Sequence, residues 1–229
     1  AGKLESLLGQ ESVFTFQNIN IQRGLGWNAE PLISRGARLI YTPGKLTADV
    51  EVNDGYYSGS RRAVEGLAGW AFTPRTSVQL AWIIPDANTP GNPTTAIANK
   101  AEYDFMINQS MGKLQLSPYL LLVHSPASAT AGFARAESAW TGVFLADYAF
   151  STEFSLGARY EHAQDDSNAA DPSANADLIG FGPGSAADTL TLTPSYTFKQ
   201  LTMRAEYSLI TATGALSQAR FGAELEVQF

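Results

Sequence analysis

Hydrophobic and polar residues alternate with a period of two along most of this 229-residue chain. The alternation is clearest near the carboxyl end. There, every second residue of one set (one parity, the odd-numbered positions) is apolar: Ala219, Phe221, Ala223, Leu225, Val227 and Phe229. The other parity is almost wholly polar or charged: Arg220, Gly222, Glu224, Glu226 and Gln228. A helix would spread Glu224 and Glu226 across the apolar stripe, so this pattern predicts a β-strand.

The same alternation recurs upstream and predicts eleven strands in all. They lie near residues 33–43, 45–53, 60–72, 75–84, 100–111, 113–125, 137–150, 151–162, 188–198, 200–213 and 216–229. Bacterial single-chain outer-membrane barrels have an even number of strands, so we expect residues 13–21 to supply a twelfth. Residues 22–32 would then form an outer loop, part of which could fold into the lumen. Residues 1–11 would be a periplasmic N-terminal segment of a single domain that spans residues 1–229.

Short and long connections alternate between the predicted strands. Short turns lie at residues 43–45, 73–75, 112–113, 151–152 and 199–200, and longer polar loops at 54–61, 85–100, 125–136 and 163–187. Outer-membrane barrels have short periplasmic turns and long outer loops, and only the short connection near Gly214 departs from this rule. The sequence therefore predicts an all-β, antiparallel, transmembrane up-and-down β-barrel of about 12 strands in the bacterial outer membrane.

Alternation alone fits either a soluble barrel or sandwich with an apolar core, or a membrane barrel with an apolar outside. Aromatic residues favour the membrane, because they gather at the proposed periplasmic strand ends: Tyr41, Phe72, Phe150, Phe198 and Phe229. Most short turns also carry a basic residue that would lie near lipid headgroups: Lys45, Arg75, Lys113 and Lys199. The longest aliphatic run, residues 120–123, is far shorter than the roughly 20 residues that a transmembrane helix needs.

Composition narrows the partners that we expect. The chain has no cysteine, which is compatible with an oxidising envelope compartment, and its net charge of -7 argues against a nucleic-acid partner. Outer-membrane lipid and small hydrophilic solutes are the expected partners, whereas a homo-oligomer or a partner protein stays open. No cofactor and no metal are expected. The terminal strand is the expected signal for the barrel-assembly machinery, through Phe221, Leu225, Val227 and Phe229.

The polar parity predicts which charged side chains line the lumen. The expected pore-lining acids are Asp49, Glu51, Glu102, Asp104, Asp147, Glu153, Glu161, Glu206, Glu224 and Glu226. The expected pore-lining bases are Arg38, Arg159, Arg204 and Arg220. This excess of acids would favour cations over anions in an open pore. The arginines could form an ion-pair network that stabilises the wall, or a transverse field across a constriction, and both interpretations stay open.

Several motifs carry a family resemblance. Residues 14–31 (FTFQNINIQRGLGWNAEP), followed by Ser34-Arg35-Gly36, resemble the OmpL-like family of outer-membrane β-barrel porins. So do residues 52–59 (VNDGYYSG), 158–161 (ARYE), 190–196 (LTLTPSY) and 204–207 (RAEY). The resemblance spans nearly the whole chain and implies a solute-permeable porin without a cofactor or established catalytic residues. Family members are usually longer at the amino end, so it also implies a shortened member or the carboxyl part of a larger barrel.

Three functions compete at this point. The leading one is a porin for passive diffusion of small hydrophilic solutes with a weak preference for cations. The alternative is a closed structural or docking barrel that acts as a scaffold or sleeve for a partner protein. An outer-membrane protease that uses His162 beside Glu161, Asp165 and Asp166 is less favoured, because a histidine in an acidic loop is more often solvated than catalytic.

Overall fold

A computed structural model of the chain describes residues 1–56, 62–86, 100–127, 134–168, 177–214 and 217–227. Within these ranges the chain forms one antiparallel sheet and two 3-10 turns, Thr15–Gln17 and Gly26–Asn28. The strands are β1 (Gly2–Glu5), β2 (Ile33–Tyr41), β3 (Leu46–Asn53), β4 (Ala63–Thr73), β5 (Thr76–Pro85), β6 (Ala101–Met111), β7 (Leu114–Leu116), β8 (Tyr119–Ser125), β9 (Glu137–Ala149), β10 (Phe154–Asp165), β11 (Ala186–Phe198), β12 (Leu201–Ala212) and β13 (Gln218–Val227).

Each strand pairs with its neighbours in sequence, which is the up-and-down order, and β7 and β8 share one place in that order. Both pair with β6 and with β9, and Ser117 and Pro118 separate them. Pro118 has no backbone N–H to give to a ladder, which accounts for the break. Its carbonyl still accepts a hydrogen bond from Ile107 N at 3.0 Å. The described sheet therefore has twelve strand positions, as the sequence predicts.

The eleven strands expected from residue 33 onward are confirmed as β2–β13, with the strand expected at 113–125 divided into β7 and β8. The expected twelfth strand is wrong. Residues 13–21 contain the 3-10 turn Thr15–Gln17 and join no ladder among the described residues. The twelfth position is taken by β1, whose Gly2 lies opposite Gly36 of β2. Of residues 1–11, which the sequence assigns to a periplasmic segment, Gly2–Glu5 form β1 and the following residues enter the barrel interior.

The outward face of the sheet is apolar and exposed, which decides between the soluble and membrane interpretations. Leu80 and Phe144, for example, are 47% and 49% exposed, whereas the inward-facing Glu65 and Glu161 are fully buried. A soluble barrel would show the opposite arrangement, so the apolar face meets lipid. The aromatic residues expected at the periplasmic strand ends are exposed where the structure describes them: Tyr41, Phe72, Phe150 and Phe198. Phe229 lies outside the described residues.

Residues 6–32, called here the lumen segment, run through the interior of the barrel. Leu7 N donates to Glu65 of β4 at 2.5 Å, and Thr15 Oγ1 donates to Glu224 of β13 at 2.6 Å. Because one short segment contacts strands from β4 to β13, the sheet must curve around it. The expectation that residues 22–32 form an outer loop is therefore wrong. The alternative, in which part of this stretch folds into the lumen, is what the structure shows. No helix in the described part of the chain is long and apolar enough to cross a membrane.

An apolar core fills part of the lumen and holds this segment. Leu8, Leu25 and Ala29 of the lumen segment are buried there. They pack with inward-facing apolar residues of the wall, among them Leu67, Ile83, Met106, Tyr119, Leu121, Val143 and Leu145. Burying one leucine side chain stabilises a fold by roughly 1.5–3 kcal/mol. Apolar burial inside the barrel therefore contributes substantially to holding the segment in place.

The wall has two edges that find no partner strand among the described residues. β13 pairs only with β12; at the other edge β1 pairs only with β2, and β2 beyond Gly36 pairs only with β3. Large apolar side chains at these edges are highly exposed, with Phe221 at 79% and Leu39 at 73%. In hydrocarbon an unpaired backbone group costs several kcal/mol, so both edges need hydrogen-bond partners in a bilayer.

Candidate functional site

Arg204 of β12 fixes the middle of the lumen segment. Its guanidinium donates to three backbone carbonyls, those of Thr15 at 3.1 Å, Asn18 at 2.8 Å and Ile19 at 2.7 Å. It also pairs with the carboxylate of Glu224 on β13 at 2.9 Å. The five N–H donors of a guanidinium suit this role, since one side chain can satisfy several carbonyls that have no ladder partner.

Arg159 of β10 makes a second attachment and is only 2% exposed. It pairs with Glu11 of the lumen segment at 2.6 Å, donates to the carbonyl of Gln22 at 2.8 Å, and lies 3.1 Å from Glu161 on its own strand. Burial raises the pKa of Glu11, and the attraction of Arg159 offsets only part of this effect. Arg159 and Arg204 therefore form ion pairs of the kind expected from the sequence, and their contacts extend to the lumen segment.

Wall carboxylates accept hydrogen bonds from the backbone of the same segment. Glu206 of β12 accepts from Ile21 N at 2.6 Å and from Gln22 N at 2.9 Å. Asp104 of β6 accepts from Gly9 N at 2.5 Å. Buried backbone N–H groups need an acceptor, so these side chains replace the partner strand that the segment lacks.

A second group of carboxyls surrounds Glu30 near the outer end of the barrel. Lys100 is the cation of this group; its Nζ lies 3.5 Å from Glu102 and donates to the carbonyl of Ala29 at 3.1 Å. Burial and then the neighbouring Asp104 carboxylate raise the pKa of Glu30 well above its usual range. Gly9 has a φ of +77°, and a Cβ added there would lie 2.2 Å from Glu30 Oε2, so only glycine fits beside this carboxyl.

Three cavities follow the lumen segment from one end of the barrel to the other. The outer cavity has a volume of about 480 Å³, the inner cavity about 260 Å³, and a neck of about 40 Å³ lies along the segment. Trp27, Pro31 and Leu32 line both the outer cavity and the neck. Glu11 lines both the neck and the inner cavity. The shared lining residues place the three cavities next to one another along the lumen segment.

Most of the expected pore-lining residues lie on the lumen side of the wall. Eight are buried: Asp49, Glu51, Glu102, Asp104, Arg159, Glu161, Arg204 and Glu206. Four are partly buried: Arg38, Asp147, Glu224 and Glu226. Many of them contact the lumen segment or each other rather than open space, and Asp147 lines the inner cavity. Their role in conduction stays a prediction.

Two expected lumen residues are placed elsewhere. Glu153 lies in the short turn before β10, where it is exposed and accepts hydrogen bonds from Ser151 Oγ and Thr152 Oγ1 at 3.0 and 2.7 Å. Arg220 has the inward parity but is exposed at the β13 edge. Glu153 lies one residue before β10 begins, where strand parity does not apply. Arg220 is exposed because β13 has no partner on its other side among the described residues.

Residues of the expected assembly signal lie on the outward face of β13. Phe221, Leu225 and Val227 are all exposed, and Phe229 is outside the described residues. Recognition by the barrel-assembly machinery stays a prediction.

The acid-and-histidine cluster of the protease hypothesis is not assembled. His162 points outward, where its Nδ1 lies 2.9 Å from Asp188 and its ring 5.1 Å from that of Trp140. Glu161 and Asp165 are buried on the opposite side of the strand. Successive strand residues face opposite sides, so His162 cannot act together with Glu161.

Sequence reasoning missed several buried carboxyls of the interior, among them Glu11, Glu30 and Glu65. Glu65 could have been found, because it has the inward parity of β4 between Ala63 and Leu67. Glu11 and Glu30 lie outside the strands, where parity gives no information.

The comparisons with known proteins agree with this architecture. A family model described as "Putative beta-barrel porin-2, OmpL-like" matches residues 1–229. The chain belongs to this OmpL-like porin family. A comparison with curated protein sequences finds no match.

Solved structures show the same fold at low identity. The loop L8 deletion mutant of OmpT, an outer membrane protein of Vibrio cholerae, is 11% identical with a TM-score of 0.65, over 99% of this chain and 74% of that one. Pseudomonas aeruginosa OprD is 13% identical with a TM-score of 0.58, over 85% of this chain and 58% of that one. Acinetobacter baumannii OccAB4 is 11% identical with a TM-score of 0.56, over 86% and 52%. The chain thus spans little more than half the length of OprD and OccAB4. The OmpL-like chain is an outer-membrane β-barrel of the porin type.

Proposed function

We propose that this OmpL-like porin lets small hydrophilic solutes diffuse passively through its lumen, with a weak preference for cations. The path of three cavities carries this proposal. Four acids line it, Glu5, Glu11, Glu30 and Asp147, and no Lys or Arg is among its described lining residues. Carboxylates along a narrow path favour cations over anions.

The neck sets the size of solute that passes. A volume of about 40 Å³ has room for no more than a few water molecules. Ions and solutes little larger than water would pass with the lumen segment in place, whereas sugar-sized solutes would not.

The reversal potential across a planar bilayer with a KCl gradient tests the preference. We expect the reversal potential to have the sign that a potassium-selective pore gives. Its magnitude should be smaller in Asp147→Asn, which removes a charge from the inner cavity. Asp188→Asn is the matched control, because it removes the same charge from the outward face beside His162. Anion preference, or equal effects of the two variants, would contradict the cation preference. Silent insertion of folded protein would contradict the pore itself.

A closed structural or docking barrel is the second candidate, and the lumen segment is the observation that favours it. Attachment through Arg159 and Arg204 would suit a barrel whose interior is filled for stability. That function predicts silent insertion and a partner that co-purifies at a fixed ratio.

We also propose that the protein is not an enzyme and that residues 1–229 form one domain. Because His162 points away from Glu161, His162→Ala should leave any hydrolysis in the purified sample unchanged. A loss of hydrolysis in this variant would revive the protease hypothesis.

A further inference from the structure

We propose that the outer cavity binds small organic cations, compounds that carry a protonated or quaternary amine next to an apolar body. The cavity measures about 480 Å³ and combines one carboxyl, Glu30, with the rings of Trp27 and Tyr56. Pro31, Leu32 and Ile33 complete an apolar lining. Small-molecule sites typically measure about 300–1,000 Å³ and combine apolar walls with a few placed polar groups.

Glu30, once it is ionised, supplies the charge that a cation would meet. It is only 6% exposed, and its Oε1 has no hydrogen-bond partner among the described residues. A buried carboxylate is costly unless a positive charge or hydrogen-bond donors compensate it. Lys100 does not fill this role, since its Nζ is directed to the carbonyl of Ala29 and to Glu102.

The two aromatic rings supply a surface that attracts cations. The guanidinium of Arg23 lies 4.9 Å from the centre of the Trp27 ring, and Lys100 Nζ lies 5.6 Å from the centre of the Tyr56 ring. The protein thus already uses both rings in cation–π contacts. Aromatic walls beside a carboxyl are the chemistry that recognises quaternary and alkyl ammonium groups.

An inorganic ion fits this cavity less well. In the described part of the chain, no three His, Cys, Asp or Glu side chains are arranged to hold a metal ion. The apolar wall offers nothing to a hydrated ion, whereas the hydrocarbon part of an organic cation would gain from burial there.

The charges that face Glu30 also favour a cation. Asp104 and Glu102 approach from β6, Glu11 from the lumen segment, and the neutral Tyr119 from β8. Lys100 is the cation at this end of β6, and it is paired with Glu102. A bound ammonium group would relieve the repulsion among these carboxyls, and binding should strengthen as Glu30 ionises with rising pH.

Calorimetric titration of the folded full chain in detergent tests this proposal. Benzyltrimethylammonium should bind at one saturable site, and benzyl alcohol of similar shape should bind at least about tenfold more weakly. Glu30→Gln and Trp27→Phe should each weaken binding of the cation by about tenfold. Asp188→Asn on the outward face should leave the affinity for the cation unchanged.

Heat-modifiable gel migration of each variant shows that it is folded, so that a loss of binding is not a loss of structure. No binding to the native chain, equal binding of benzyl alcohol, or full binding to Glu30→Gln would each overturn the proposal. Calorimetry needs no open pore, so its result is independent of the conductance that tests the proposed function.

Discussion

At the residue scale, the interior of this barrel is organised by charged side chains that bond to backbone. Glu206 accepts from two consecutive N–H groups of the lumen segment, and Arg204 donates to three of its carbonyls. Neither residue would tolerate a neutral replacement well, because the backbone groups that it satisfies are partly or fully buried and have no ladder partner.

The first prediction concerns Arg204. Arg204→Gln leaves Glu224 and three carbonyls without their donor, and loss of one partner of a buried pair typically costs about 3–5 kcal/mol. We expect a drop of this order in the free energy of unfolding, measured in urea. The control is Arg220→Gln, an exposed arginine on β13. Equal effects of the two variants would show that Arg204 does not hold the lumen segment.

The second prediction concerns pH and Glu30. Because the folded protein raises the pKa of Glu30, the native state keeps a proton that the unfolded chain has lost. Stability should therefore fall as pH rises from the usual glutamate range through the raised pKa. Glu30→Gln removes this effect, so we expect the variant to be more stable than the native chain at neutral pH and equal to it in acid. Thermal midpoints at several pH values give the comparison, and a constant difference at all pH values would contradict it.

The inward position of many lumen carboxyls could be predicted from strand parity alone. Glu51, Glu102 and Glu161 lie inside strands and are buried as expected. Parity says nothing of Glu11 and Glu30, since their positions depend on long-range contacts with Arg159 and Gly9. It also misplaced Glu153, because alternation in the sequence continues for one residue beyond the start of β10.

At the element scale, residues 13–21 show that alternation alone does not make a strand. Their sequence alternates well, yet their hydrogen bonds go to wall side chains such as Glu206 and Arg204. β1 takes the twelfth position with only four residues, Gly2–Glu5, which is too short for a periodic pattern to reveal. Register with β2, rather than local sequence, defines this strand.

The third prediction concerns packing on the lipid face. Gly66 of β4 lies opposite Trp82 of β5, and a Cβ added at Gly66 would lie 2.3 Å from the indole ring. The valine side chain in Gly66→Val must therefore push the indole ring of Trp82 away from β4. We expect the free energy of unfolding to fall by about 1–3 kcal/mol.

Gly142 of β9 is the matched control for this prediction. It also has a tryptophan nearby, but a Cβ there would lie 3.7 Å from Trp140, which is ordinary contact. Gly142→Val should be close to neutral. A similar loss in both variants would mean that the tryptophan contact at Gly66 is not the cause.

At the scale of the whole molecule, an inverted distribution of polarity identifies the environment. Carboxylates and arginines are buried while leucines and aromatic residues are exposed, which is stable only when lipid surrounds the outside. This feature was predictable from sequence, since one parity is apolar over many strands. The filled lumen was not, because it depends on the lumen segment finding partners on β4, β6, β10, β12 and β13.

We propose that solutes pass along the lumen segment while it stays inside the barrel, and locking the segment in place is the most direct test. A Cβ at Gly26 of the segment would lie 3.4 Å from Val143 Cγ2 of β9, so the double variant Gly26→Cys/Val143→Cys should form a disulfide after a small shift of the Tyr119 hydroxyl. The native chain has no cysteine, so the bond is unambiguous.

Single-channel conductance of this double variant, recorded before and after reduction, is the decisive measurement. We predict that the bond forms in the folded protein and that the oxidised and reduced channels carry similar small, steady currents. The single variants give the baseline for each substitution. A failure of the cysteines to join in folded protein would contradict the position of the lumen segment. A locked channel that is silent and conducts only after reduction would contradict passage along a segment that stays in place.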